Sequence, residues 1–207
     1  LTPLPRRSFR FGALYAAELK LLARGPHLWW YGVAFGLVVA QAAAGGDTTR
    51  TLLAIAWLWP VLLLSGLGSR EMRYNTHELV FSAPRPVVTQ LPAMWLAALT
   101  VVAVLGSGAF LRFLLDGDTA HLLAWLGGAL FIPSLALAVG VLTGSGKTFE
   151  VVYVVWIYII LQGVRPLDFV GVSRGSPWHV YVLLTPVLTA LAFSVRHWRL
   201  ASGRVPA

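Results

Sequence analysis

Six apolar stretches follow one another along the chain, separated by short polar segments. A helix rises about 1.5 Å per residue, and about 20 apolar residues cross the roughly 30 Å hydrocarbon core of a bilayer. The composition agrees, because 57% of the residues are hydrophobic and only 12% are charged. We therefore expect an all-α integral membrane protein whose six helices cross the bilayer at 28–44, 51–67, 91–115, 122–143, 149–162 and 180–195.

The residues before the first stretch have a different pattern. From 8 to 24 one helical stripe carries Arg10, Lys20 and Arg24, and the opposite stripe is apolar except for Glu18. This segment is too charged to cross a membrane, so it is predicted to lie in the interface as an amphipathic helix that ends at Gly25. The sequence leaves three placements open for the Glu18 carboxylate. It could pair with a residue one helical turn away, extend to the water boundary, or contact the polar loop described next.

The most polar internal segment is 68–90, which lies between the second and third stretches. Asn75 and Glu78 have the spacing of a capping box, and Pro84 ends the pattern. This predicts a short helix across one end of the bundle. The predicted organisation is a tail and amphipathic helix at 1–25, a membrane domain at 26–196, and a second tail at 197–207.

The positive charges are distributed unequally between the two sides of the predicted bundle. Twelve of the sixteen Lys and Arg residues fall in the N-terminal segment, in 68–90, in the fourth loop and at the C-terminal end from Arg196 onward. The positive-inside rule then makes both termini and the 68–90 loop cytoplasmic, most simply in a bacterial inner membrane. Because the net charge of +8 is scattered, anionic lipid headgroups are favoured as its partner over nucleic acid.

Two motifs resemble catalytic or binding sites. The Gly144–Thr148 segment ends like a phosphate-binding loop, but Val141 stands where that motif needs glycine. It is interpreted as a tight turn between helices. The Asp116, Asp118 and His121 side chains have a spacing that could hold a metal, although Asp118 or Thr119 would also cap the fourth crossing. Three prolines lie inside predicted spans and are candidate bends: Pro60, Pro133 and Pro186.

Three local sequences carry a family resemblance: ELKLLARGP, AWLWPVLLLSGLGSREMRYNTHELVFSAPRP and GALFIPSLALAVGVLTGSGKTFE. With the order of the segments, they make nearly all of the chain resemble the membrane subunits of ATP-binding-cassette exporters of the type-2 permease class. The resemblance implies a coupling helix in the 68–90 loop that is seated on a separate ATPase subunit. The implied coupling residues are Arg70, Glu71, Arg73, His77, Glu78 and Phe81, with Glu18 and Lys20 of the N-terminal elbow helix close by.

The resemblance also implies the partners. ATP and Mg²⁺ would bind to the partner ATPase subunit and no cofactor to this chain, and a second permease copy or half would complete the path. The absence of an initiator Met leaves open whether the chain is a whole subunit. Two alternatives differ in class: a membrane-embedded enzyme that uses Asp116, Asp118 and His121, and a membrane scaffold that transports nothing.

Overall fold

The computed structural model describes residues 6–69, 86–173 and 175–202. Every regular element in these ranges is helical, which confirms the all-α prediction for this part of the chain. The helices are α1 (Arg6–Ala23), α2 (Leu28–Ala43), α3 (Asp47–Leu58), α4 (Val61–Leu64), α5 (Pro86–Leu105), α6 (Ser107–Leu115), α7 (Thr119–Thr143), α8 (Gly146–Leu161) and α9 (Trp178–Ser202), with a 3-10 turn at Arg165–Leu167.

Two of the described helices are long and apolar enough to cross a bilayer, at Thr119–Thr143 and Trp178–Arg199. A third candidate is α5 with α6, if this pair, bent by 57°, is counted as one span. The apolar helix α2 is shorter, with 16 residues. By length and composition, two or three of the described helices could cross a bilayer, and six crossings stay a prediction.

The second predicted stretch is interrupted between α3 and α4. The first of these helices ends at Leu58 and the second begins at Val61, with Trp59 and Pro60 between them. Proline has no N–H to donate, so a helix tends to break there. By contrast, Pro133 and Pro186 lie inside the continuous helices α7 and α9.

Helices α2, α3 and α8 pack with alternating directions. The Trp59 indole N–H donates to the Trp30 carbonyl at 3.4 Å, and the Thr49 hydroxyl donates to the Gln41 carbonyl at 3.4 Å, so α2 and α3 are antiparallel. The Tyr153 hydroxyl of α8 donates to the Trp57 carbonyl at 3.2 Å. Because the start of α8 lies against the end of α4, α8 also runs opposite to α3 and α4.

Further contacts fix the directions of α5, α7 and α9. The Trp95 indole N–H donates to the Ser134 hydroxyl at 2.8 Å, and the Phe113 ring lies 5.5 Å from the His121 ring, so α5 and α6 run antiparallel to α7. The Thr189 hydroxyl of α9 donates to the same Ser134 hydroxyl at 3.3 Å. Further along, Arg199 reaches the last turn of α7, so α7 and α9 are parallel.

These directions define two ends of the bundle. The end where the 68–90 segment leaves and returns is called the loop end, and the other is called the opposite end. The loop end carries Ser69, Gln90, Thr143, Gly146 and Arg199, and the opposite end carries Asp47, Leu115, Asp118, Leu161 and Trp178.

Helix α7 forms the centre of the described bundle. Its residues from 127 to 138 are buried except for Leu130, which is half-buried, so the helix is covered on all sides. Small residues allow direct backbone contact near its end. A Cβ at Gly140 would lie only 1.8 Å from the Leu67 carbonyl oxygen. Glycine at this position is therefore required for α7 to touch the chain that leads into the 68–90 segment.

Helix α1 packs side by side with α5. The Tyr15 and Thr100 hydroxyls are 2.8 Å apart, and Leu22 is buried. Glu18 is half-buried on the inward face, consistent with its place in the apolar stripe, whereas Lys20 is exposed. By helical spacing Leu21 belongs to the same apolar stripe, but its side chain is 56% exposed.

The contact at Gly140 gives a stability prediction. Gly140→Ala should lower the free energy of unfolding by about 1–3 kcal/mol, because the new methyl group overlaps the Leu67 carbonyl. Gly36→Ala in α2 is the matched control, since a Cβ there meets nothing within 4 Å and alanine is the better helix former. Thermal unfolding in detergent measures both, and an unchanged midpoint for Gly140→Ala would refute the packing described.

Candidate functional site

The residues predicted to couple the chain to an ATPase lie outside the described residues. They are Arg70, Glu71, Arg73, His77, Glu78 and Phe81. The structure describes the surface from which that segment leaves and to which it returns. This surface is formed by the end of α4, the start of α5, the end of α7, the start of α8 and the end of α9, and we call it the platform.

The segment leaves from a position fixed by backbone contacts. Gly68 has a φ of +73°, a conformation that glycine adopts without steric cost. A Cβ there would lie 3.0 Å from the Leu137 carbonyl oxygen of α7. On the other side, a Cβ at Gly146 would lie 2.6 Å from the Ser65 carbonyl oxygen. The departing chain is thus held between α7 and α8.

Two arginines of α9 connect other elements of the platform. The buried Arg196 donates from Nη2 to the Gln90 side-chain oxygen at 3.2 Å, which connects α9 to the start of α5. Arg199 donates from Nη1 to the Val141 carbonyl at 2.6 Å and from Nη2 to the Leu142 carbonyl at 3.1 Å. A cation at the last carbonyls of a helix is favourable, because it satisfies backbone acceptors and complements the helix dipole.

The segment resembling a phosphate-binding loop is a tight turn on the same platform. Helix α7 ends at Thr143, and Gly144 has a φ of +67° in the left-handed region, as is common after a helix. Ser145 has extended dihedrals, and α8 begins at Gly146. The turn therefore connects two helices directly, which is the interpretation made from the sequence.

At the opposite end, Asp118 caps α7 as the sequence suggested. Its carboxylate accepts the His121 backbone N–H at 3.2 Å, and its second oxygen lies 2.6 Å from His121 Nδ1. Asp116 is engaged elsewhere, because its Oδ2 accepts from Arg112 Nε at 2.9 Å. Within the part of the chain that the structure describes, no three His, Cys, Asp or Glu side chains are grouped so that they could hold a metal ion.

The ionisation of Asp118 is tuned by this environment. Partial burial raises its pKa, but the hydrogen bonds from the His121 ring and amide and the charges of His121 and Arg50 outweigh that effect. The net result is a pKa below the ordinary value of 3.8. Arg50 is nearly buried and pairs with Asp47 at 2.6 Å. The opposite end is therefore a network of charges that joins the α2–α3 connection to the start of α7.

The connection between α8 and α9 inserts residues 168–171 into the bundle. Phe169 and Val170 are buried, and the Phe169 ring contacts the rings of Phe131, Tyr153, Trp156 and Tyr181 at 5.2 to 6.0 Å.

The role of Asp168 was not predicted from the sequence. This buried carboxylate accepts the N–H groups of Gly171 at 2.7 Å, Val172 at 3.1 Å and Ser173 at 2.6 Å. An Asp three residues before a Gly is a turn signal that points to this role.

A second missed residue is Gln41, which lies fully buried where α2 meets the bend between α5 and α6. Its Nε2 donates to the Leu105 carbonyl at 2.9 Å, and its Oε1 accepts the Ala109 N–H at 3.2 Å. An unsatisfied buried backbone group costs about 1–3 kcal/mol, so these two bonds stabilise the bend. The sequence signal was available, since Gln41 is a lone amide within the first apolar stretch.

No protein-family model, curated protein or solved structure matches this chain.

The Asp118 cap gives a pH-dependent prediction. Asp118→Ala should lower the free energy of unfolding by about 1 kcal/mol near pH 7, because the His121 N–H loses its acceptor. The folded-state pKa of Asp118 lies below 3.8, so its ionisation contributes stability above that pH and the contribution is lost as the pH falls through the folded-state pKa. The difference between wild type and Asp118→Ala should therefore shrink in acid.

Asp118→Asn is the matched control for that experiment, because asparagine caps helices about as well as aspartate. Denaturant unfolding of the three proteins at pH 7 and pH 3 separates the capping bond from the charge. Equal stability of Asp118→Ala and wild type at pH 7 would rule out the cap.

Proposed function

We propose that this chain is the permease subunit of an ATP-driven exporter and crosses the membrane six times. The 68–90 segment then docks on a separate nucleotide-binding subunit at the cytoplasmic side. ATP and Mg²⁺ bind to that subunit, and this chain hydrolyses nothing. Two permease copies or halves form the translocation path between them.

The observation that carries the proposal is the alternation in direction of six consecutive segments. Because of it, Ser69 and Gln90, which flank the polar segment, belong to the same end of the bundle. That end also carries exposed Lys147 and the two arginines of α9. A polar, positively charged loop whose two ends are fixed at one side of an apolar bundle is the arrangement that a coupling loop requires.

The short and broken segments are compatible with six crossings. Backbone groups freed by a helix break are tolerated inside a membrane protein only where neighbouring groups satisfy them. Tyr153 donates to the Trp57 carbonyl just before the Pro60 break, and Gln41 bridges the bend at Gly106. Beside the Pro60 break, the Trp59 ring packs against the rings of Trp29 and Trp30 at 5.9 and 6.0 Å.

The platform supplies a route for mechanical work. A push on the 68–90 segment would act first on the Leu67–Gly140 backbone contact and on the pair formed by Arg196 and Gln90. Since Arg199 holds the last turn of α7, α7 and α9 would move together. Under this proposal Arg70, Glu71, Arg73, His77, Glu78 and Phe81 contact the ATPase subunit, and Glu18 and Lys20 of α1 lie near that contact.

One observation favours the alternative of a membrane-embedded enzyme, namely the 2.6 Å contact between Asp118 and His121. The pairing of Asp116 with Arg112 separates the third side chain from them. Asp118→Asn distinguishes the two functions, because it should abolish an enzyme activity while leaving transport almost unchanged.

The docking of the ATPase can be tested by co-purification. Glu71→Ala with Glu78→Ala should remove the ATPase activity that co-purifies with the detergent-solubilised chain from native membranes. The physical reason is that the two carboxylates belong to the proposed contact. ATPase activity in the eluate is the readout, and a reduction of about tenfold or more corresponds to a loss of about 1.4 kcal/mol in binding free energy.

Asp116→Ala is the matched control, since it removes an exposed carboxylate at the opposite end whose pair with Arg112 is worth little. It should leave the co-purifying activity unchanged. The proposal fails if wild type brings down no ATPase, or if the double variant retains as much activity as the control.

A further inference from the structure

The bend between α5 and α6 contains a side chain at the point where the helix is interrupted. The two helices meet at Gly106 with an angle of 57°. On either side the helical pattern holds, since the Gly106 N–H donates to Val102 and the Phe110 N–H donates to Gly106, each at 3.0 Å. Between them, an uninterrupted helix would make three more bonds of this kind, at 103–107, 104–108 and 105–109, and the last of these would join the Leu105 carbonyl to the Ala109 N–H.

The Gln41 amide engages both members of that pair. It donates to the Leu105 carbonyl and accepts from the Ala109 N–H, so one side chain reproduces both halves of a backbone bond. Insertion of a side chain into the helical ladder is a recognised cause of sharp kinks. The Gln41 Nε2 also donates to the Leu37 carbonyl of its own helix at 3.1 Å, which fixes the orientation of the amide.

Glycines allow Gln41 to reach this position. A Cβ at Gly108 would lie 2.0 Å from the Val38 carbonyl oxygen, so α2 and α6 are in backbone contact there. The indoles of two tryptophans close over the bend. Trp57 donates to the Val102 carbonyl at 3.1 Å, and Trp125 donates to the Gly106 carbonyl at 2.9 Å.

The bend decides where α6 points. In the bent state the Phe113 ring packs on the His121 ring, and Arg112 lies beside the α2–α3 connection, with Nη2 3.8 Å from the Cβ position of Gly45. Helix α6 thereby covers the start of α7 at the opposite end. A straight α5–α6 helix would restore the direct bond between Leu105 and Ala109 and would carry Arg112 and Phe113 away from α7.

We propose that Gln41 is the latch of a two-state hinge at Gly106, whose bent state closes α6 over the opposite end of the bundle and whose straight state opens it. The hinge deepens the proposed function, because it places an outer gate in the permease. It is nevertheless a property of this chain alone, and it can be measured without any ATPase.

The absence of cysteine from the sequence makes the hinge accessible to spin labelling. One pair of labels spans the hinge, at Leu115→Cys and Leu161→Cys, and a reference pair stops short of it, at Val104→Cys and Leu161→Cys. All three positions are exposed. Distances are measured by pulsed electron paramagnetic resonance on the purified chain in lipid nanodiscs.

Gln41→Leu removes both bridging bonds and should shift the Leu115–Leu161 distance distribution while the Val104–Leu161 distribution stays as in wild type. Straightening a 57° bend moves the tip of the nine-residue α6 by up to about 13 Å, at 1.5 Å per residue. Adding Ala109→Pro, which removes the N–H that a straight helix needs, should return the distances to the wild-type values.

Gln41→Met provides a second variant of similar volume. The hinge is refuted if either variant folds and retains the wild-type Leu115–Leu161 distribution, or if the reference pair shifts equally. It is also refuted if neither variant folds, because the proposal requires the open state to be a folded conformation that does not need Gln41. None of these outcomes depends on whether an ATPase binds the 68–90 segment.

Discussion

Backbone hydrogen bonding inside an apolar interior is the constraint on which the rest of the structure depends. A break in a helix frees carbonyl and N–H groups that apolar side chains and lipid tails cannot satisfy. The chain breaks its second predicted stretch at Pro60 and bends its third at Gly106, and each site is served by polar side chains. The Tyr153 hydroxyl donates to a carbonyl at the first break, and the Gln41 amide bridges the second. Trp57 and Trp125 add hydrogen bonds to carbonyls beside the second break that already accept a backbone N–H.

These polar side chains also fix the order of the helices. Each of these side chains belongs to a different segment from the backbone group that it bonds. The hydrogen bonds that satisfy the backbone therefore also determine which helices are neighbours and in which direction each one runs. The buried Ser134 hydroxyl does this for α5, α7 and α9. Glycine contributes by allowing close backbone contact, since Gly140 lets the backbone of α7 pack directly against the Leu67 carbonyl. A segment too short to be recognised as a span by its length, such as α2, is held in the bundle by these contacts.

The sequence predicted what depends on local pattern. Hydropathy and helix-breaking residues placed most helix ends within five residues, although α9 continues to Ser202 instead of ending at 195 and the second stretch is divided into α3 and α4. The Asp118 cap followed from its position before an apolar run, and the glycine at 144 indicated a turn. The sequence could not reveal contacts made across long separations. Gln41 shows no sign of its partner at Ala109, Asp168 resembles a surface turn residue although it is buried, and Leu21 fits the apolar stripe although it is exposed. The proposed coupling residues, among them Glu71 and Glu78, lie outside the described residues and stay a prediction.

The central claim is that six segments cross the membrane and that the 68–90 loop and the α7–α8 turn share one side. Single cysteines in the cysteine-free chain, reacted with a membrane-impermeant thiol reagent in intact cells and in inside-out vesicles, test it most directly. The account predicts that Thr48→Cys, Thr119→Cys and Gln162→Cys react from outside, and that Thr76→Cys and Lys147→Cys react only in inside-out vesicles. Reaction of Thr48→Cys and Thr76→Cys from the same side would contradict it, because α3 and α4 would then not cross the membrane.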